Sequence, residues 1–209
     1  MVLGNRGRSF TNALFGPLAR GLVRAGVSAN VVTVAGTVAT SATALWLLPP
    51  GHLVVGVAVV VVLAFADSID GLMARERGGG SAFGAYLDST MDRVSDAAIF
   101  TALGLYLLGQ DEQRWQGVGF GLAMACVMLG MLVSYARARA EGLGISARAG
   151  IAERTDRLVF AGAATLAVGL GAPVLVLVIA LGVLAIANIV TVVQRSVVVY
   201  RAPAGGGQA

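Results

Sequence analysis

Apolar residues fall into six blocks along the chain: Val31 to Leu48, Leu53 to Met73, Ala85 to Leu108, Val118 to Tyr135, Leu158 to Leu170, and Val174 to Val193. They are separated by Pro49-Pro50-Gly51, the Arg75 to Ser81 stretch, Gln110 to Gln116, the charged stretch from Arg137 to Arg157, and Gly171-Ala172-Pro173. Proline and glycine at such junctions stop helices. Runs of about 20 apolar residues match the thickness of a bilayer, and hydrocarbon requires every backbone group to be paired within the segment, so the blocks predict helices. The fifth block is short, and its helix is expected to begin earlier, near Ile151.

Between Arg8 and Arg24, Phe10, Leu14, Phe15, Leu18 and Leu22 recur at helical spacing, with Arg20 and Arg24 among polar or small positions. That pattern predicts a helix lying on an anionic leaflet, kinked or restarted at Pro17. A plain juxtamembrane linker is the alternative. The expected fold class is therefore an all-α polytopic membrane protein with six transmembrane helices and an N-terminal interfacial amphipathic helix. Residues 1–30 form the amphipathic segment, 31–201 the six-helix membrane domain, and 202–209 a glycine-rich disordered tail. No internal repeat is visible.

Composition agrees. Of 209 residues, 57% are hydrophobic and only 12% charged, against about 25% charged in soluble domains. All 15 basic residues are arginine. Apart from Arg93 inside the third block, they collect at Arg6, Arg8, Arg20 and Arg24, after the second block at Arg75 and Arg77, after the fourth at Arg137, Arg139, Arg148, Arg154 and Arg157, and at Arg195 and Arg201, leaving Arg114 alone on the other face. The positive-inside rule then puts both termini and these two loops in the cytoplasm of a cell (inner) membrane protein. No nucleic-acid partner and no cleavable signal peptide are expected. The single cysteine, Cys126, reads as a small buried apolar residue. His52 reads as a solvated loop residue, and Gly78 to Gly80 as a turn.

Four aspartates stand out, because carboxylates are costly in membrane helices. Asp67 and Asp70 are three apart at the cytoplasmic end of the second block, and Asp88 and Asp92 four apart at the start of the third. Each spacing puts two carboxylates on one helix face, and the short loop between makes the two helices antiparallel neighbours. Clustered carboxylates repel one another unless some protonate. Hard divalent cations resolve the repulsion, and two ions bridged by carboxylates suit phosphoryl displacement. Gly71 and Gly84 would let a ligand approach, and Arg75 offers a fork for phosphate. The plainer alternative is pairing of these carboxylates with Arg75, Arg77 or Arg93. Asp96 continues the Asp88/Asp92 face one turn deeper and is expected to bond to a neighbouring helix.

Written out, Asp67 to Asp92 reads D-x2-D-G-x2-A-R-x8-G-x3-D-x3-D. It resembles, at all eight fixed positions, the signature of the CDP-alcohol phosphotransferase family. The resemblance implies a homodimer acting on CDP-diacylglycerol in the lipid bilayer with two Mg²⁺ ions, for which Mn²⁺ would substitute. It implies Asp67 and Asp88 as ligands of both metals, Asp70 of the first, and Asp92 of the second and as general base. Gly71, Ala74, Arg75, Ser81 and Gly84, with Asn30, Val31, Val32 and Thr33, would meet the CDP-lipid. Asn30 also reads as a helix N-cap.

A second stretch bears on the acceptor. Ser134-Tyr135-Ala136-Arg137-Ala138-Arg139-Ala140-Glu141, Glu153-Arg154-Thr155-Asp156-Arg157 and Arg195 load the cytoplasmic mouth with guanidinium groups. These suit a phosphorylated acceptor, though topology and anionic lipid account for many of the arginines. With the Arg75 to Gly80 run, they are similar to actinobacterial members of the family that use inositol 1-phosphate, which implies Ser134, Arg137, Arg154 and Arg195 as its phosphate-binding residues. Arg137 departs from that pattern, standing where lysine is common. Glycerol 3-phosphate is the alternative acceptor. A cation transporter is the alternative class, but transporters place carboxylates near midplane in repeated halves.

Overall fold

The structure, a computed structural model, describes residues 16–66, 68–76, 79–110, 113–147, 149–151 and 153–202. Residues 1–15 of the expected amphipathic segment, Asp67, and the tail beyond Ala202 lie outside that set. Among the described residues every regular element is an α-helix: α1 (16–24), α2 (Ala29–Leu47), α3 (Leu53–Ala66), α4 (Ser68–Glu76), α5 (Ala82–Leu108), α6 (Gln113–Glu141), α7 (Arg154–Gly169) and α8 (Leu175–Tyr200).

Packing closes the long helices into a ring in the order α2, α5, α6, α8, α7, α3 and back to α2. The core is apolar toward one end: Ile99, Phe100, Leu103 and Leu107 of α5 meet Ala123 and Cys126 of α6, Ala161 and Val168 of α7, and Leu177, Leu181 and Leu184 of α8. Small residues permit close helix approach, which matters in lipid, where no hydrophobic drive pushes helices together. A Cβ on Gly169 of α7 would lie 2.9 Å from Leu53 Cβ of α3. Outside the ring, Trp46, Val62, Val159 and Ile186 are exposed, an apolar exterior that lipid would cover. Toward the other end, buried positions turn polar: Ser95, Asp96, Arg157, Asn188, Thr191 and Arg195.

Among the described residues four segments are long and apolar enough to cross a membrane: Ala29–Leu47, Leu53–Ala74, Arg114–Glu141 and Leu175–Tyr200. That makes a multi-pass membrane protein. The other two expected spans differ for physical reasons. Helix α5 is long but carries Asp88, Asp92, Arg93 and Asp96, and α7 has only 16 residues, about 24 Å at 1.5 Å per residue. Helix α7 begins at Arg154, ahead of its apolar block but not at Ile151. The Asp156 carboxylate accepts the Glu153 backbone N–H at 3.3 Å and so caps the start. Helix α8 continues to Tyr200, so Arg195 lies inside it and not beyond its end as expected.

The α1 helix packs on α4. Its Ala19 is buried with Ile69, Leu72 and Met73, and Leu22 and Val23 lean on the same group. The helix that carries Asp70 is thus held between α1 and α2.

Candidate active site

Ser28, and not Asn30, caps α2. It holds an extended conformation and its Oγ accepts from Val31 N–H at 3.3 Å. Asn30 is thereby inside the first turn, where its Oδ1 faces the Gly84 backbone. A Cβ on Gly84 would lie 3.5 Å from that Oδ1 and 3.2 Å from Ser81 Oγ, so Asn30, Ser81 and Gly84 share one wall. Ser81 is itself the α5 N-cap, accepting from Gly84 N–H at 2.9 Å. One turn along α2, Thr33 donates its hydroxyl to Asp70 Oδ2, and the Gly71 N–H reaches Asp70 Oδ1. Of the expected nucleotide residues, Thr33 and Gly71 therefore reach Asp70, while Asn30, Ser81 and Gly84 meet one another where α2 and α5 begin. Val31 is an exception, being 59% exposed, and Val32 packs toward the α1–α4 cluster. The Arg75 side chain lies outside the described set.

Asp88, exposed on the next turns of α5, acts electrostatically on both Asp70 and Asp92. Among the described residues no three acidic, histidine or cysteine side chains close into a ready ligand group, and Asp67 is outside them. The donors nonetheless fit a hard cation: they are carboxylate oxygens throughout, linked by a mutual repulsion that a divalent charge would cancel.

Below Asp88, the α5 face meets the start of α7. Arg154 Nη1 lies 2.8 Å from Asp92 Oδ1, its Nε donates to Asp96 Oδ1 at 2.9 Å, and its Nη2 to Ser95 Oγ at 3.1 Å. Arg93 approaches Asp92 Oδ2 at 3.4 Å. Deeper still, Arg157, only 2% exposed, donates to Asp96 Oδ2 at 3.1 Å and to Asn188 Oδ1 of α8 at 3.4 Å. Asp96 is thus bonded to a neighbouring helix, as its position suggested.

An open cleft of about 460 Å³ lies beside this face. Asp92 stands on its wall with Ser134, Arg137, Arg154 and Arg195, the four residues expected at an acceptor phosphate. Arg137 pairs with Glu141 at 2.9 Å, both about half exposed; such pairs contribute little and are readily redirected. Arg195, 4% exposed, is held by backbone: its Nε donates to Ala149 O at 2.9 Å and its Nη1 to Val133 O. Gly150, at φ +150°, lets the loop bearing Ala149 approach so closely, since a Cβ there would sit 2.6 Å from Thr191 Cγ2. Ser134 Oγ donates to Gly130 O at 3.1 Å.

Ser95, Arg157 and Asn188 were not expected in this network. Ser95 lies three residues past Asp92 and Arg157 three past Arg154, so helical periodicity pointed to both. A lone asparagine in the most apolar block was the signal for Asn188.

A family model described as CDP-alcohol phosphatidyltransferase matches residues 26–200. A phosphatidylinositol phosphate synthase from Cutibacterium acnes is 43% identical over 194 residues, 89% of this chain and 92% of that protein. The enzyme of that name from Mycobacterium tuberculosis is 39% identical over 191 residues, covering 90% and 86%. Its crystal structure with CDP-DAG bound superposes with a TM-score of 0.84 at 37% identity, over 92% of this chain and 96% of that one. A second crystal structure of it, in complex with manganese and citrate, also gives 0.84, over 92% and 91%.

Proposed function

The chain belongs to the CDP-alcohol phosphatidyltransferase family, and on that premise we propose that it transfers the phosphatidyl group of CDP-diacylglycerol to inositol 1-phosphate. The products are phosphatidylinositol phosphate and CMP. The observation that carries this reading is the single cleft in which Asp92 faces Ser134, Arg137, Arg154 and Arg195. A neutral alcohol would have no use for three guanidinium groups beside the reacting end. A phosphorylated acceptor would use them as charge-assisted donors.

The chain's residues then divide the work. Asn30, Thr33, Gly71, Ala74, Arg75, Ser81 and Gly84 would take the cytidine diphosphate end of the lipid, with Val31 and Val32 on the same helix turn. Arg195, already fixed by two carbonyls, and Arg154 would hold the acceptor's phosphate, with Arg137 turning from Glu141 to join them. Asp92 would accept the proton of an acceptor hydroxyl as its oxygen attacks the phosphorus bearing diacylglycerol and the bond to CMP breaks. Asp67, Asp70, Asp88 and Asp92 would hold two Mg²⁺ or Mn²⁺ ions. When bound, these supply charge neutralisation for the pyrophosphate and its leaving group. The manganese complex of the Mycobacterium tuberculosis relative supports a divalent metal.

The setting belongs to the same proposal. All six helices of the ring would cross the cell (inner) membrane, α5 and α7 included, with α1 at the inner leaflet and the termini and cleft cytoplasmic. The division at residues 30 and 201 and the homodimer implied by family resemblance go with it. An acceptor panel tests the function: purified protein with CDP-diacylglycerol is given inositol 1-phosphate, inositol, glycerol 3-phosphate or serine, and CMP is measured. Release with inositol 1-phosphate alone is expected. Preferred release with glycerol 3-phosphate would replace the acceptor, and release with inositol would remove the role of the arginines.

A further inference from the structure

Asp96 has no part in the chemistry above, yet it is the one buried carboxylate among the described residues. It is 8% exposed, and each of its oxygens is taken by a different arginine, Arg154 on Oδ1 and Arg157 on Oδ2. Arg157 is tied in turn to Asn188, which is fully buried on α8. Ser95 adds its Oγ to Arg154. Every nitrogen of the Arg154 guanidine group therefore meets a different α5 side chain: Asp92, Ser95 or Asp96.

Buried ion networks are weak contributors to stability, since desolvation offsets most of the attraction. Apolar packing would hold α5, α7 and α8 together as well. What the network supplies is direction. Arginine is a long, flexible side chain, and a site gains from a ligand-binding group whose rotamer is fixed by supporting hydrogen bonds before the ligand arrives. Asp96 and Ser95 fix Arg154 from below, with its Nη1 edge at Asp92 and the cleft.

The geometry points to Asp96, assisted by Ser95, as the positioning residue that sets Arg154 to receive the acceptor's phosphate beside Asp92. Arg157 and Asn188 hold Asp96 in its turn. This rests on the acceptor reading given above. It makes the Asp96 network a determinant of acceptor affinity and not of CDP-lipid binding.

Kinetics on the full-length protein in detergent, with both substrates varied, test it. Asp96→Asn is expected to raise KM for inositol 1-phosphate about ten-fold, the effect of losing one charged hydrogen bond, with KM for CDP-diacylglycerol unchanged. Ser95→Ala is expected to raise the same constant by a smaller factor. Arg154→Gln alone raises it, and the Asp96→Asn/Arg154→Gln double variant should be no worse than Arg154→Gln, because Asp96 acts through Arg154. An unmoved acceptor KM in Asp96→Asn, or effects that multiply in the double variant, would overturn the inference. If Asp96→Asn does not fold, Ser95→Ala decides by the same two criteria. An Arg154→Gln enzyme with wild-type acceptor KM would instead remove the acceptor reading itself, and the inference with it.

Discussion

Arg154 sits with its Nη1 2.8 Å from Asp92 Oδ1, joining the first residue of α7 to the middle of the α5 aspartate face. One guanidinium thus touches the expected base and lines the cleft where the acceptor's phosphate would lie. A phosphate bound there is delivered within reach of the carboxylate that must take the hydroxyl proton. Arg154→Gln should therefore raise the acceptor KM by roughly ten- to hundred-fold, from the 1.5–3 kcal/mol of a charged hydrogen bond. Arg154→Lys should not restore it, because an ammonium does not reproduce a fork that meets three α5 side chains. Full rescue by lysine would reduce Arg154 to a point charge.

The Asp92 carboxylate itself is tested by Asp92→Asn, which keeps the shape and removes the proton acceptor. General base catalysis contributes about 10²–10⁴ in rate. Transfer should fall by at least about a hundred-fold, while CDP-diacylglycerol still binds through the α2–α4 side of the site. A single-turnover measurement with saturating acceptor reads the chemical step directly, and a smaller loss there would take the base role away from Asp92.

The Thr33–Asp70 hydrogen bond links α2 to α4 at the other side of Asp88. Thr33→Val keeps the volume and deletes the hydroxyl. The neighbouring carboxylate would lose a neutral donor, an effect of about 1.5–3 kcal/mol for a bond to a charged group. The expected result is a raised KM for CDP-diacylglycerol with the acceptor KM unchanged, opposite to Arg154→Gln. Equal shifts in both constants would mean that the two halves of the site are not separable.

The aspartate face was readable from spacing alone because helical periodicity is local: Asp88, Asp92 and Asp96 share a side of α5 whatever surrounds it. Arginine placement likewise put Arg137, Arg154 and Arg195 at one end of the molecule, the family resemblance added Ser134, and the cleft gathers all four. What spacing did not reveal depends on contacts between helices distant in sequence. Asn188 meets Arg157 only because α8 packs on α7. The α2 cap is Ser28 because the chain turns there, two residues before Asn30. Arg195 lies within α8 because valines continue the helix past the apolar block to Tyr200. The other two expected spans fall short for separate reasons: α5 carries Asp88, Asp92, Arg93 and Asp96 inside the segment that would cross, and α7 has only 16 residues.

Metal dependence follows from the donor set. A chelator should abolish CMP release, and Mg²⁺ or Mn²⁺ should restore it. Asp88→Asn should weaken metal binding as well as turnover, because Asp88 is the carboxylate whose charge bears on both Asp70 and Asp92. Binding can be followed without turnover by titrating Mn²⁺ and reading its paramagnetic signal. Unchanged Mn²⁺ affinity in Asp88→Asn would leave that carboxylate outside the metal site.

Arg195 separates architecture from acceptor binding. Its guanidinium is 4% exposed and donates to the carbonyls of Ala149 and Val133, so it joins α8 to the loop before α7 and to α6. Arg195→Gln shortens the side chain and strands the loop carbonyl of Ala149, at a cost of about 1–3 kcal/mol for a buried acceptor left unpaired, while the Val133 carbonyl keeps its partner within α6. The variant should melt at a lower temperature than the wild type, whatever its kinetics. If Arg195 also meets the acceptor's phosphate, the acceptor KM should rise about ten-fold or more even at temperatures where the variant is fully folded. The CDP-diacylglycerol KM should stay where it was. Inositol 1-phosphate should also stabilise the wild type against heat more than it stabilises the variant, because a ligand that binds only the folded state raises its stability in proportion to affinity. A variant that melts early but keeps wild-type acceptor kinetics and the full stabilisation by inositol 1-phosphate would make Arg195 a strut between α6 and α8. The phosphate would then rest on Arg154 and Arg137.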